Sequence, residues 1–404
     1  MTSSSAPGFA GLWAALEPVG RSSSGGYRRF AWSATDRVLR EWFADECAKR
    51  GLDYVEDRAG NQWAWWGDPD AAPGQGVVTG SHLDSVPDGG PFDGPLGVIS
   101  ALAAVDALRR VGFQPAKPIG VVCFADEEGA RFGVACSGSR LVAGSLSPER
   151  ALALRDVDGL SMAEALTAAG RDLTGFGPDP AAVQRVGHFV ELHVEQGRAL
   201  DHIGASVAVG TDIWPHGRWR IDFPGEANHA GTTALRDRRD AMLGYADTVL
   251  AARATAQEHD CLATIGRVSV RPGAVNAIPS SVTGWLDVRG SDPTAVRRTV
   301  LDITAHAGSF GATVVEESWT DDTRFDTSLV RRMQRALGNV PLLSTGAGHD
   351  AGVLAAAGVS SAMLFVRNPS GVSHSPAERA ELADCLAGVE ALTTVLADLA
   401  GPPG

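Results

Sequence analysis

Gly76-Val-Val-Thr-Gly-Ser81, then Leu96 to Val111, then Pro118-Ile-Gly-Val-Val-Cys-Phe-Ala125 form a short apolar run, an Ala/Leu-rich stretch of helical spacing and a second apolar run. Neither run alternates, which is what strands buried on both faces of a parallel sheet look like. Strand, helix and strand in this order predict an α/β fold. Working outward, His188 to Val194 (HFVELHV) reads as a further strand with polar residues at its end, where open α/β sheets bind ligands. Ahead of these elements, a Ser/Gly-rich start leads into a helix over Ala34 to Arg50 and a short hairpin over Asp53 to Trp66.

Between Thr211 and Arg324 the texture changes. Arg218 to Phe223, Leu262 to Val270 and Ser281 to Arg289 alternate like strands, Asp237 to His259 and Pro293 to Ala307 have helical spacing, and Ala312 to Glu317 reads as one more strand. Four strands and two helices predict an α+β unit with a four-stranded antiparallel sheet. Beyond Phe325 the pattern returns to helix, a short strand over Ser361 to Val366 and a C-terminal helix over Ala377 to Leu399. The expected organisation is a mixed-sheet, three-layer catalytic domain in two parts, 1–210 and 325–404, interrupted by an inserted domain over 211–324.

Composition narrows the function. A chain of 404 residues, with 44% hydrophobic and 21% charged residues, resembles a soluble globular protein large enough for two domains. Its formal charge of −13 opposes binding to nucleic acid or anionic membranes, and no basic patch offsets it. Lys49 and Lys117 are the only lysines, and no Gly-Lys-Ser/Thr follows a glycine-rich loop, so P-loop and Schiff-base chemistry rank low. Five scattered cysteines without CxxC pairing suit reduced, buried thiols in a cytoplasmic protein rather than a thiolate metal site. The start carries no secretory signal pattern, and the longest apolar stretch, Ala351 to Val366, is broken by Gly and Ser and falls short of the about 20 residues a bilayer needs.

Four segments carry candidate chemistry. In Gly80 to Val98 (GSHLDSVPDGGPFDGPLGV), His82 and Asp84 stand two apart at a strand end, so Asp84 can orient the imidazole, and Asp93 follows in a Gly/Pro-rich loop. The alternative is a turn with capping aspartates. In Phe124 to Gly133 (FADEEGARFG) a strand ends in Asp126-Glu127-Glu128; adjacent carboxylates repel unless a cation separates them, although a solvated acidic loop reads the same way. His193 interrupts an apolar strand and His374 precedes the last helix, and either alone is more often a core or capping histidine. Taken together, His82, Asp93, Glu128, His193 and His374 form an N/O donor set suited to two divalent ions bridged by a carboxylate.

In sequence order, GSHLDSVPDGGPFDG, DEEGARF, ELHVEQG, GEANHAGTT, AVNAIP, LDVR, GAGHDA and GVSHSP resemble the hydantoinase/carbamoylase branch of the dinuclear metallo-exopeptidases, from about His82 to Glu378. The branch includes allantoate amidohydrolases, N-carbamoyl-L-amino-acid hydrolases and beta-ureidopropionases. The resemblance implies a hydrolase that cleaves linear C–N bonds of N-carbamoyl amino acids or related ureido acids with metal-activated water, and N-acyl-amino-acid deacylase or dipeptidase activity is the alternative. It implies that Asp93 bridges two ions, zinc, manganese, cobalt or nickel, with His82 and His193 on one and Glu128 and His374 on the other. Glu127 becomes the general base beside Asp84. Peptidase relatives carry an acidic residue where His193 stands, which favours the carbamoylase side. The inserted domain becomes a lid and dimerisation domain of a homodimer, with His229 completing the partner's catalytic site. Gln196, Asn276 and Arg289 become contacts to a small-molecule substrate, Arg289 gripping its carboxylate. Family members often carry Gly-Gln at the start of a lid strand, whereas here Trp214-Pro215-His216-Gly217 puts His216 in the glutamine's place. That substitution points away from allantoate.

Overall fold

The computed structural model describes residues 6–71 and 73–402. It divides into two compact units: one holds the chain through Thr211, Arg324–Leu343 and the chain from Gly348 onward, the other Asp212–Thr323 and Ser344–Ala347.

Among the described residues the large sheet has two short strands, Thr323–Arg324 and Leu342–Thr345, beside its edge strand, and seven others: β1 (Asp53–Glu56), β2 (Gln62–Trp66), β3 (Gly76–His82), β4 (Ile119–Phe124), β5 (Val186–Val194), β6 (Val207–Ile213, the edge strand) and β7 (Ser360–Val366). These seven lie side by side as β1-β2-β4-β3-β5-β7-β6. The four central strands β4, β3, β5 and β7 are parallel, and β1, β2 and β6 join antiparallel at the edges. Every residue of β3 and β4 is buried, which explains their unbroken apolar character. Three helices frame the centre: α1 (Pro95–Arg110), α2 (Asp350–Ala356) and α3 (Leu382–Ala400). A Cβ added at Gly388 of α3 would meet Val366 at 2.5 Å and Leu192 at 3.3 Å, so α3 lies against that face. Glu191, one residue along β5 and therefore on the opposite face, accepts the Ala351 N–H of α2 at 2.9 Å. Helices thus cover both faces, giving three layers.

The structure departs from the sequence reading at both ends of this unit. The start folds as a helix over Ala6–Leu16, burying Phe9, Leu12 and Leu16 on one stripe, and Trp13 packs on Phe92 with ring centroids 4.8 Å apart. The C-terminal helix begins at Leu382 rather than Ala377. Glu378 is the reason: its buried carboxylate turns away to accept the Phe92 and Asp93 amides at 2.7 and 3.0 Å, holding this stretch out of helical geometry.

The second unit is a four-stranded antiparallel sheet ordered Thr313–Thr320, His216–Pro224, Ser281–Arg289, Leu262–Arg271. Trp219, Ile221, Phe223, Val282, Leu286 and Val288 alternate onto the face that meets the helices Ala241–Glu258 and Pro293–Gly308. The first helix starts later than its periodicity predicts because Asp240 caps it, accepting the Met242 N–H at 3.0 Å. No helix among the described residues is long and apolar enough to cross a membrane.

The tight parallel centre sets one stability expectation. At Gly80 a Cβ would stand 1.8 Å from the Val122 carbonyl oxygen of the neighbouring strand, whereas at Gly11, on an exposed helix face, it would meet nothing within 4 Å. Gly80→Ala should therefore cost about 3 kcal/mol in urea unfolding, while Gly11→Ala should stabilise by about 0.5 to 1 kcal/mol. Equal midpoints for the two variants would contradict this packing.

Candidate active site

Three parallel strands aim their C-terminal ends at one place. His82 is the last residue of β3, Asp126-Glu127-Glu128 follow β4 and His193 sits near the end of β5. Asp93 arrives on the loop between β3 and α1, which passes so close that a Cβ on Gly94 (φ 84°) would stand 2.5 Å from the His82 ring. His374 comes from the loop before α3. Asp93 is the shared member: one carboxylate oxygen lies 3.5 Å from His82 Nε2 and 3.1 Å from His193 Nε2, and the other lies 3.4 Å from His374 Nε2. Glu128 stands 3.5 Å from His374 Nε2. His82, Asp93 and His193 form one group with ligand geometry, and Asp93, Glu128 and His374 form a second.

Hydrogen bonds behind these groups fix their direction. His82 Nδ1 faces the Asp84 carbonyl at 3.1 Å and His193 Nδ1 faces the Val194 carbonyl at 2.8 Å. A carbonyl only accepts, so each Nδ1 carries the proton and each Nε2 turns a lone pair toward Asp93. His82 Nε2 is buried with no hydrogen-bond partner. Lone pairs directed at a carboxylate, in a dry site, require a cation or a proton between them. The residues therefore fit divalent ions.

Asp84 does more than the sequence reading gave it. Its carboxylate oxygen lies 3.4 Å from His82 Nδ1, but its two oxygens also accept the N–H groups of Glu127 and Glu128, at 3.2 and 3.0 Å. Gln196 donates to Asp93 at 2.8 Å, while its own Oε1 is buried without a partner. Glu378, Cys136, His349 and Asp350 complete the surroundings and were missed as site residues. His349 packs 4.5 Å from the His193 ring, Asp350 accepts from Ser139 at 2.5 Å, and Cys136 donates its thiol to Glu127 at 3.3 Å. The GAGHDA motif was the available signal for His349 and Asp350, and Glu378 follows GVSHSP by two residues, whereas Cys136 had none.

The remaining expected residues lie in the second unit and form two groups. His229 and Asn276 come together at an exposed two-stranded ladder, where His229 pairs with Ala277 and the Asn276 carbonyl accepts from Ala230 at 2.9 Å. His229 Nδ1 accepts the Gly231 N–H at 3.0 Å, so its proton sits on Nε2. His216 and Arg289 are cross-strand partners. Arg289 binds Asp287 in a two-pronged pair at 2.7 and 3.0 Å and donates to the Gly346 carbonyl at 2.8 Å. Those bonds spend three of its five N–H groups and leave two.

Residues 78–398, well over half of the chain, match Peptidase family M20/M25/M40. The chain belongs to this family. Among M20 relatives, an N-carbamoyl-L-amino acid amidohydrolase of Geobacillus stearothermophilus is 38% identical, over 93% of this chain and 94% of that one. An allantoate amidohydrolase of Escherichia coli (strain K12) is 30% identical, over 95% and 96%. The crystal structure of a hydantoinase/carbamoylase family amidase from Burkholderia multivorans superposes with a TM-score of 0.87 at 29% identity, covering 99% of this chain and 98% of that one. The protein is thus a metal-dependent M20 hydrolase, with the mixed α/β architecture of its carbamoylase branch.

Electrostatics of the M20 site follow from burial and crowding. Burial works to raise the Asp93 pKa, but the His193, His374 and His82 imidazoles outweigh it and hold the carboxyl well below its usual range. His374 is pushed up to about 9, first by its contact with Asp93. Burial and then Asp93 push Glu128 up to about 7, and burial pushes Glu127 well above the usual carboxylate range. Without ions, protons on the imidazoles balance the carboxylates. Metal binding must displace them, since only neutral imidazole and charged carboxylate ligate. Below pH about 9 the His374 proton competes with the ion, so affinity should rise as pH increases toward about 9. Calorimetric manganese titrations in buffers of different ionisation enthalpy should show proton release on binding. A flat, buffer-independent affinity would contradict the assignment.

Proposed function

We propose that this M20 hydrolase releases the carbamoyl group from an N-carbamoyl amino acid or a related ureido acid, and that Glu127 is its general base. The observation that carries the reading is one buried carboxylate, Asp93, shared between two N/O ligand groups with Glu127 beside them. Relatives whose names give N-carbamoyl-L-amino acids and allantoate as substrates support the ureido class. His82 and His193 would hold one divalent ion and Glu128 and His374 the other, with Asp93 common to both. Zinc, manganese, cobalt and nickel all suit such ligands. When bound, the ions polarise the scissile carbonyl and acidify a water.

The chain's own groups do the rest. Glu127 takes the water's proton and returns it to the leaving nitrogen. His229, neutral and with its proton on Nε2, is suited to donate to the developing oxyanion. The two free N–H groups of Arg289 are suited to an end-on grip of the substrate carboxylate, while Asp287 fixes the guanidinium from the side. Gln196 Oε1 and Asn276 offer further polar contacts. His216 spends Nδ1 on the Trp214 carbonyl at 3.1 Å and so offers only an acceptor at Nε2, which suits a substrate donor. Exposed Leu243 and Leu250 on one helix and Leu262 and Val268 on the edge strand support a homodimer formed through the second unit. Five buried free thiols suit a cytoplasmic protein.

Glu127→Gln should lower kcat by about a hundredfold to ten-thousandfold, and chelation should abolish turnover until manganese, cobalt or zinc is restored. The substrate class is tested by offering one amino acid in N-carbamoyl, N-acetyl and dipeptide forms and measuring the free amino acid released from each, with ammonia as the further product expected from the N-carbamoyl form alone. Preference for the acetyl or dipeptide form would replace this reading with a deacylase or peptidase, and full activity after chelation would end it. Arg289→Ala should raise KM for the best substrate by about tenfold or more, and an unchanged KM would remove Arg289 from the carboxylate contact.

A further inference from the structure

The two oxygens of Glu127 keep different company. Oε2 lies 3.7 Å from His82 Nε2, on the side of the ligand groups. Oε1 points away from them and accepts a hydrogen bond from Cys136 Sγ at 3.3 Å. Both residues are buried, Glu127 at 6% exposure and Cys136 at 3%, so water does not compete for this contact. We propose that Cys136 is a positioning residue for the reaction: its S–H fixes the plane of the Glu127 carboxylate so that one oxygen stays aimed at the reacting water. The proposal rests on Glu127 being the general base.

The local backbone makes the contact hard to avoid. Cys136, Ser137 and Gly138 donate their N–H groups to the carbonyls of Glu127, Asp126 and Ala125, at 2.5, 3.0 and 2.9 Å. This short ladder runs the two segments past each other and ties Cys136 to Glu127 by main chain as well as side chain. Cys136 adopts a left-handed backbone (φ 55°), a conformation that favours glycine or asparagine. A side chain kept at such a position, and aimed at a catalytic carboxylate, has a use beyond filling space. The torsion that turns a carboxylate is broad, so without a donor on one side the carboxylate plane is free to swing away from the reacting water. A thiol is a weak donor toward neutral acceptors, but a charged acceptor strengthens the bond.

The test uses Cys136→Ala and Cys136→Ser. Both keep the Cβ, so the backbone demand is unchanged, and Ser keeps a donor. In the metal-loaded enzyme, Cys136→Ala should lower kcat about tenfold with KM within about twofold, and Cys136→Ser should recover most of the loss. The S–H stretching band of Cys136, isolated by infrared difference between the protein and Cys136→Ala, should move to higher frequency in Glu127→Gln. Full kcat in Cys136→Ala alongside an inactive Glu127→Gln would overturn the proposal, as would a band that Glu127→Gln leaves in place. An active Glu127→Gln would instead overturn the general-base reading, while the band would still report the hydrogen bond.

Discussion

Two imidazole lone pairs directed at one buried carboxylate oxygen are the constraint around which the first unit is arranged. His82 and His193 cannot turn away from that oxygen, because each has its other nitrogen committed to a backbone carbonyl. Asp93 cannot withdraw either, since Glu378 holds its loop by accepting two backbone N–H hydrogen bonds. The conflict disappears when positive charge enters between the groups. Protons supply that charge in the absence of ions, and a divalent ion that displaced them would meet donors already aimed, the condition for using it as a Lewis acid.

The parallel sheet is what makes such a cluster affordable. Its strands deliver side chains to one edge from positions far apart in sequence, while the apolar runs behind them supply the burial that offsets the cost of dry charge. Asp84 shows how economical the arrangement is. One carboxylate faces the His82 ring and receives the amides of both glutamates, so the ends of β3 and β4 are locked in register at the point where chemistry takes place.

Much of this clustering was legible in the sequence because each candidate ligand interrupts a strong local pattern. His82, Glu128 and His193 end apolar runs, and the βαβ order places those ends together. The alternation of Ser281–Arg289 gave the second sheet in the same way, as its strictly alternating burial shows. What escaped depends on contacts that no local pattern encodes. Glu378 acts on Phe92 across 286 residues, and its pull delayed the last helix by several positions. Cys136 looked like a buried thiol, which it is, and only the turn after β4 reveals its neighbour. The N-terminal helix was hidden by Gly and Ala, whose weak apolar signal becomes a stripe only once Phe9, Leu12 and Leu16 are seen to be buried.

The interrupted first unit also has a consequence for how the protein comes into being on the ribosome. β5 ends at Val194 and its parallel neighbour β7 begins at Ser360, so the whole second unit is synthesised between two strands that must pair. That unit contains all four strands of its own sheet and can collect its core while the first sheet still lacks a central member. His374 emerges later again, after β7. The nascent chain therefore carries four of the five candidate ligands, His82, Asp93, Glu128 and His193, before the last imidazole arrives, so the donor set is completed in one late step.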